Sequence, residues 1–177
     1  MKAPELEAEC WAFALAIYAR PGVAEACLTL QNQAGVDVML LLMVTFAAVE
    51  RRILLTPNEI NTLDEACRPW REQIVWPLRA IRSGLKTGPA PAPSDQAEQF
   101  RSQVKSLELA AERLENQLLA ECLPLRPPEK AIIKPEQLRT VIEDVVRHFA
   151  EKRGTKPNAT LSSSIDTILE TAIPAAG

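Results

Sequence analysis

Apolar positions recur at helical spacing along nearly the whole chain, and the two-residue alternation of a strand is almost absent. The first run predicts a helix over residues 4–19. Cys10, Trp11, Ala14 and Tyr18 share one face of it, and Phe13 and Ile17 widen that face. Arg20-Pro21-Gly22 interrupts the pattern, with Pro21 suited to the first turn of a second helix. There Val23, Ala26, Cys27 and Leu30 follow i, i+3, i+4, i+7, and Gly35 ends the run. Asp37 stands where a side chain can accept from the free N–H groups of a third helix, predicted over 38–54. That helix is apolar nearly all round, which places it at the centre of the fold. Thr56-Pro57-Asn58-Glu59 is a capping-box sequence with proline at the first helical position, and it opens a fourth helix running to residue 86. Pro69 and Pro77 fall inside this helix and predict a kink or a break.

Beyond the proline-rich stretch 87–94 a fifth helix is predicted over 95–121, with Phe100, Val104, Leu107, Ala111, Leu114 and Leu118 on one face. The prolines of 124–128 stop it. Pro135 opens a sixth, striped by Leu138, Val141, Ile142, Val145 and Phe149, and Gly154 closes it. A polar linker, 155–161, leads to a short last helix over 163–172 carrying Ile165, Ile168, Leu169 and Ala172. The fold class this predicts is all-α: a single helical bundle of about six to seven helices containing a long, proline-interrupted helical hairpin. It divides into a helical core domain, 1–123, and a C-terminal helical extension, 124–177, packing on or beside that core.

Composition narrows the function classes. The 177 residues are 47% hydrophobic and 24% charged, enough for one domain with a real core. A net charge of -3 gives no overall attraction to nucleic acid, and no recognition-helix motif is present, so nucleic acid is not expected as a partner. The longest apolar stretch, 38–49, is shorter than the roughly 18 residues a membrane span needs. Residues 1–9 are acidic rather than basic and apolar, so no secretory signal is read there and the expected location is cytoplasmic. Cys10, Cys27, Cys67 and Cys122 form no C-x-x-C pair and have only His148 beside them, which points to buried free thiols rather than a zinc site. His148 lies beside an apolar stripe, at a boundary position. No phosphate-cradling, dinucleotide-binding or nucleophile-elbow motif occurs, so no catalytic residue, cofactor or metal is assigned. Glu108, Glu112 and Glu115 share a helical face, but the Glu-x-x-His partners of a di-iron bundle are missing, which leaves a salt-bridged or solvated face.

Two residue sets stand out as candidate sites. On the fourth helix Arg68, Arg71, Arg79, Arg82 and Lys86 fall within about 80° of one another at ~100° per residue, opposite Cys67, Trp70, Ile74, Leu78, Ile81 and Leu85. An antiparallel hairpin about the proline-rich loop would bring Arg68 and Arg71 level with Glu108–Glu115. It would set Arg79, Arg82 and Lys86 against Arg101 and Lys105. Those last five form a candidate basic patch for an acidic or anionic partner. Trp11, Tyr18, Trp70 and Trp76 are conspicuous in a chain only 5% aromatic, and mark a candidate apolar pocket between helices.

One set of motifs runs in order through residues 9–119. It comprises Trp11-x-Phe13, Tyr18-x-x-Pro21-Gly22-Val23, Cys27-Leu28-x-Leu30-Gln31, Gly35-x-Asp37-Val38 and Leu40-Leu41-Leu42. Trp70-Arg71, Pro77-Leu78-Arg79, Leu85-Lys86 and Glu108-Leu109-x-x-Glu112-Arg113 follow. The series resembles an uncharacterised bacterial domain-of-unknown-function family. The chain departs from that pattern at Met39, where such proteins tend to show Asn, and at Thr45-Phe46, near which they tend to carry Trp. The resemblance implies no activity. The reading from the residues is a non-enzymatic, cytosolic interaction module binding a protein or anionic partner through the basic patch. Its alternative is a carrier or sensor of a small apolar ligand inside the bundle, and an enzyme ranks last.

Overall fold

The computed structural model describes residues 3–128 and 132–172, and their regular structure is entirely helical. In order come α1 (Ala3–Tyr18), α2 (Val23–Ala34), α3 (Val38–Val49) and α4 (Pro57–Trp70). A π-helical turn (Arg71–Val75) joins α4 to α5 (Trp76–Gly84), and α6 (Asp95–Cys122), α7 (Pro135–Arg153) and α8 (Ala159–Ala172) follow. No single helix among the described residues is long and apolar enough to cross a membrane.

The centre is α3, whose residues from Met39 to Ala48 are all buried. Asp37 caps it, Oδ1 accepting from the Leu40 N–H at 3.1 Å. The helix stops at Val49 rather than near residue 54. Glu50, Arg51 and Arg52 are three charged residues in succession, and a helix buried all round has no side on which to solvate them. Arg52 takes φ 56°, and the chain turns to bury Ile53 and Leu55. The capping box at Thr56 then forms as predicted, with Glu59 N–H donating to the Thr56 hydroxyl and Thr56 N–H to the Glu59 carboxylate.

The proline break appears as the π turn. Pro77 has no N–H, and its ring would clash with the carbonyl four residues back. The chain relieves this by widening one turn, the Trp76 N–H reaching the Arg71 carbonyl five residues back. The extra residue in that turn shifts the phase of everything after it. Cys67 is buried as expected, but the buried side continues through Arg71 and Val75, and Ile74 and Ile81 face outward. Helix α6 is correspondingly turned from its predicted face: Phe100, Leu107 and Leu114 are exposed, while Val104, Glu108, Ala111 and Glu115 are buried.

Helices α7 and α8 belong to the same hydrophobic cluster as α1–α4. Helix α8 packs on α2, and α7 on α3 and α4. Helix α8 starts at Ala159, four residues before the predicted start, because Asn158 Oδ1 accepts from the Leu161 N–H at 3.0 Å and caps it. At Gly35 the chain leaves α2 with φ 72°, and a Cβ there would lie 3.3 Å from Arg153 Cδ, so glycine serves both the left-handed turn and the approach of α7. Cys10, Cys27 and Cys67 are buried, and burial pushes the Cys10 and Cys27 thiols up to about 12. Cys122, read as buried from sequence, is exposed because it lies in the last turn of α6, off the packed side.

Candidate functional site

The local amphipathicity of α4 places two charged residues on its apolar side. Ile60, Leu63, Asp64 and Cys67 follow i, i+3, i+4, i+7, and Arg71 extends the same stripe. Arg71 is 3% exposed. Its Nη1 donates to Asp37 Oδ2 at 2.5 Å, and its Nη2 donates to Asp64 Oδ1. The guanidinium also lies over the Trp76 ring, 5.7 Å from its centroid, and over Phe149 at 5.3 Å. On its other oxygen Asp64 accepts from Lys152 Nζ at 2.5 Å and lies 2.9 Å from His148 Nε2. Burial alone would push the Asp64 carboxyl up. The contacts from His148, Lys152 and the Arg71 guanidinium outweigh burial and hold it well below the usual carboxylate range.

Glu115 completes this group from α6, with Oε1 4.0 Å from Arg71 Nη1. Burial first, and then the neighbouring charge of Asp37 and a hydrogen bond with it, push the Glu115 carboxyl far above its ordinary range. Both effects favour the protonated form, whose proton ties Glu115 to Asp37. Two buried polar atoms of the cluster are left over: Arg71 Nε and Glu115 Oε1 have no hydrogen-bond partner.

Both Arg71 and Glu115 stand in the wall of a cavity of about 370 Å³, formed by α1, α2, the start of α3, α5 and α6. Trp11, Tyr18 and Trp76 line it together, with Leu15, Leu28, Met39 and Leu42 among the aliphatic neighbours. Met39 is thus a wall residue at the position where the resemblance leads one to expect Asn. Trp70 is not in this wall; its indole N–H donates to the Ala111 carbonyl at 3.0 Å. The volume lies within the range of small-molecule sites.

Of the five candidate patch residues, Arg79, Arg82 and Lys105 line the same cavity, while Lys86 and Arg101 do not. The hairpin register differs from the predicted one. Arg79 Nε donates to Glu108 Oε1 at 2.9 Å and its Nη2 to Glu112 Oε1 at 2.7 Å, and Arg82 Nη2 donates to Glu108 Oε1 at 3.2 Å. These acids lie about two helical turns further along α6 than Arg101 and Lys105. The predicted level would have set like charges together, whereas the observed one pairs base with acid. Arg101 is paired within its own helix, to Glu98. Among the described residues Lys86 and Lys105 have no ion pair.

Residues 9–119 match the model of a family described as protein of unknown function (DUF2390). The chain belongs to this family. The matched segment contains every residue of the cavity wall, from Trp11 to Glu115, and ends before α7 and α8. The family region is tied to the C-terminal helices through Asp64, His148 and Lys152. No curated protein and no solved structure matches the chain.

The buried ion cluster is the part of the site that sequence reading did not assemble. From the sequence Asp37 reads as a cap, and Arg71 as one of a basic stripe level with Glu108–Glu115; the structure keeps the Arg71–Glu115 approach and adds Asp37 and Asp64. The available signal was the continuation of the α4 stripe from Ile60 through Asp64 and Cys67 to Arg71. Charged residues at buried phase require partners from other helices.

Proposed function

We propose that this protein is a non-enzymatic helical domain that binds a small, largely apolar organic molecule in the cavity between α1 and the α5–α6 hairpin. The observation that carries this reading is the meeting of Trp11, Tyr18 and Trp76 in one cavity whose wall also holds the charged side chains of Arg71 and Arg79. Aromatic walls supply burial and shape, and a few placed polar groups fix orientation. The acids of the wall are engaged by arginines or protonated, which leaves no free base beside a nucleophile and supports binding rather than catalysis. The reading of the basic residues as an external docking patch ranks below it, because Arg79, Arg82 and Arg101 each pair with a carboxylate of the chain itself.

Native mass spectrometry of the freshly purified protein, followed by tryptophan-fluorescence titration with alkyl ligands, tests the proposal. A retained small molecule, or saturable binding weakened by Leu28→Trp at the cavity mouth, is the expected result. Absence of any adduct and of any saturable fluorescence change would overturn it.

A further inference from the structure

The wall of the cavity carries a charge pattern that bears on what kind of molecule fits. Its basic groups are Arg71, Arg79, Arg82 and Lys105, and its acids are Asp37, Glu108, Glu112 and Glu115. Arg71 is answered by Asp37 and by Asp64 behind the wall, and Asp64 is answered in turn by Lys152. Arg79 and Arg82 are answered by Glu108 and Glu112. Burial and the neighbouring charge of Asp37 push the Glu115 carboxyl up, which favours its neutral form. Burial raises Glu112 as well, which can only lessen the negative side of this balance. Among the described residues Lys105 is the one base of this wall without an ion pair.

Lys105 is exposed, at the solvent end, while Arg71 and Glu115 are at the buried end. Along α6, Lys105 and Glu115 are separated by about 15 Å of helix at 1.5 Å per residue. The intervening wall includes the apolar Leu109 of α6 and faces Trp11, Leu15 and Tyr18 of α1.

We propose that the cavity takes an elongated amphipathic carboxylate, its anionic group at Lys105 and its apolar body along α1 and α6 toward the buried end. This rests on the cavity reading above and specifies the class of ligand. An anion at Lys105 neutralises the one uncompensated charge, whereas an ammonium head would add a second. A neutral chain of the same length would fill the apolar middle but would not gain the contact with Lys105.

Tryptophan-fluorescence titration of the full chain with decanoate, decanol and decylamine tests the assignment. Decanoate is expected to bind more tightly than decanol, and decanol more tightly than decylamine, with the preference for decanoate shrinking as salt rises. Lys105→Ala is expected to weaken decanoate by about two- to fivefold, the scale of an exposed ion pair, and to leave decanol unchanged. Lys105→Arg should restore decanoate binding. Decanol or decylamine binding as well as decanoate, or a Lys105→Ala effect equal for decanoate and decanol, overturns the carboxylate assignment and leaves the cavity reading standing. Failure of all three alkyl ligands to bind brings down the cavity reading and this inference together.

Discussion

Glu115 is 1% exposed and stands beside Asp37, so its ionised form loses water and gains a like charge at once. The folded chain therefore keeps a proton on Glu115 that the unfolded chain gives up above pH 4.5. For an acid with a raised folded value, the contribution to stability is fully present below the unfolded value and is lost as pH rises toward the folded one. The slope reaches about 1.4 kcal/mol per pH unit for a single proton. Glu115→Gln keeps the shape and can still donate to Asp37, but it has no proton to lose. The variant is expected to match wild type near pH 4 and to exceed it increasingly toward pH 8, as read from denaturant midpoints. A variant less stable than wild type at pH 8 would show that Glu115 is ionised in the fold and held by Arg71.

At the scale of elements, the hairpin shows why helical periodicity read part of the structure and not the rest. Stripe and cap signals are local, and they placed the start of α3, the start of α4 and the run of α6 within a residue or so. The phase after Pro77 depends on how the proline clash is relieved, and the sequence allows a kink, a break or a widened turn. The widened turn carries Ile81 to 49% exposure and leaves Val75 at 2%, although a continuous α-helix would bury Ile74, Leu78 and Ile81 on one stripe. The same change of phase brings Arg79 and Arg82 onto Glu108 and turns Trp76 into the cavity wall. Ile81→Gln is therefore expected to change stability by no more than about 0.5 kcal/mol, while Val75→Gln, which buries an amide among apolar side chains, is expected to cost about 1–3 kcal/mol. Thermal or denaturant unfolding of the two variants checks the phase directly. Equal losses would mean that the helix runs through without the extra residue.

Across the whole molecule, what escaped sequence reading is what joins distant helices. Trp11, Tyr18 and Trp76 could be singled out because aromatics are scarce in the chain, but a rare residue type does not reveal which of its members meet, and Trp70 turns elsewhere. The ion cluster was less legible still. Periodicity shows that a charged residue faces inward but not which partner waits there, and Asp64 and Lys152 are 88 positions apart. Asp64 is the shared acceptor through which α4, α7 and, by way of Arg71 and Asp37, the cap of α3 are tied together. Its carboxyl is held below the ordinary value of 3.8, so its contribution is fully present above that pH and is lost as pH falls from there toward the folded value. Asp64→Asn keeps the volume but removes the charge that answers Arg71, Lys152 and His148. Removing one partner of a buried pair costs about 3–5 kcal/mol. The variant is expected to lose stability of that order at pH 7 and to show a flatter acid limb below pH 4 than wild type, because the group that titrates there is gone. Chemical denaturation at pH 7 and at steps between pH 4 and pH 2 reads both effects. An acid limb as steep in Asp64→Asn as in wild type would assign the acid sensitivity of the fold to other carboxylates.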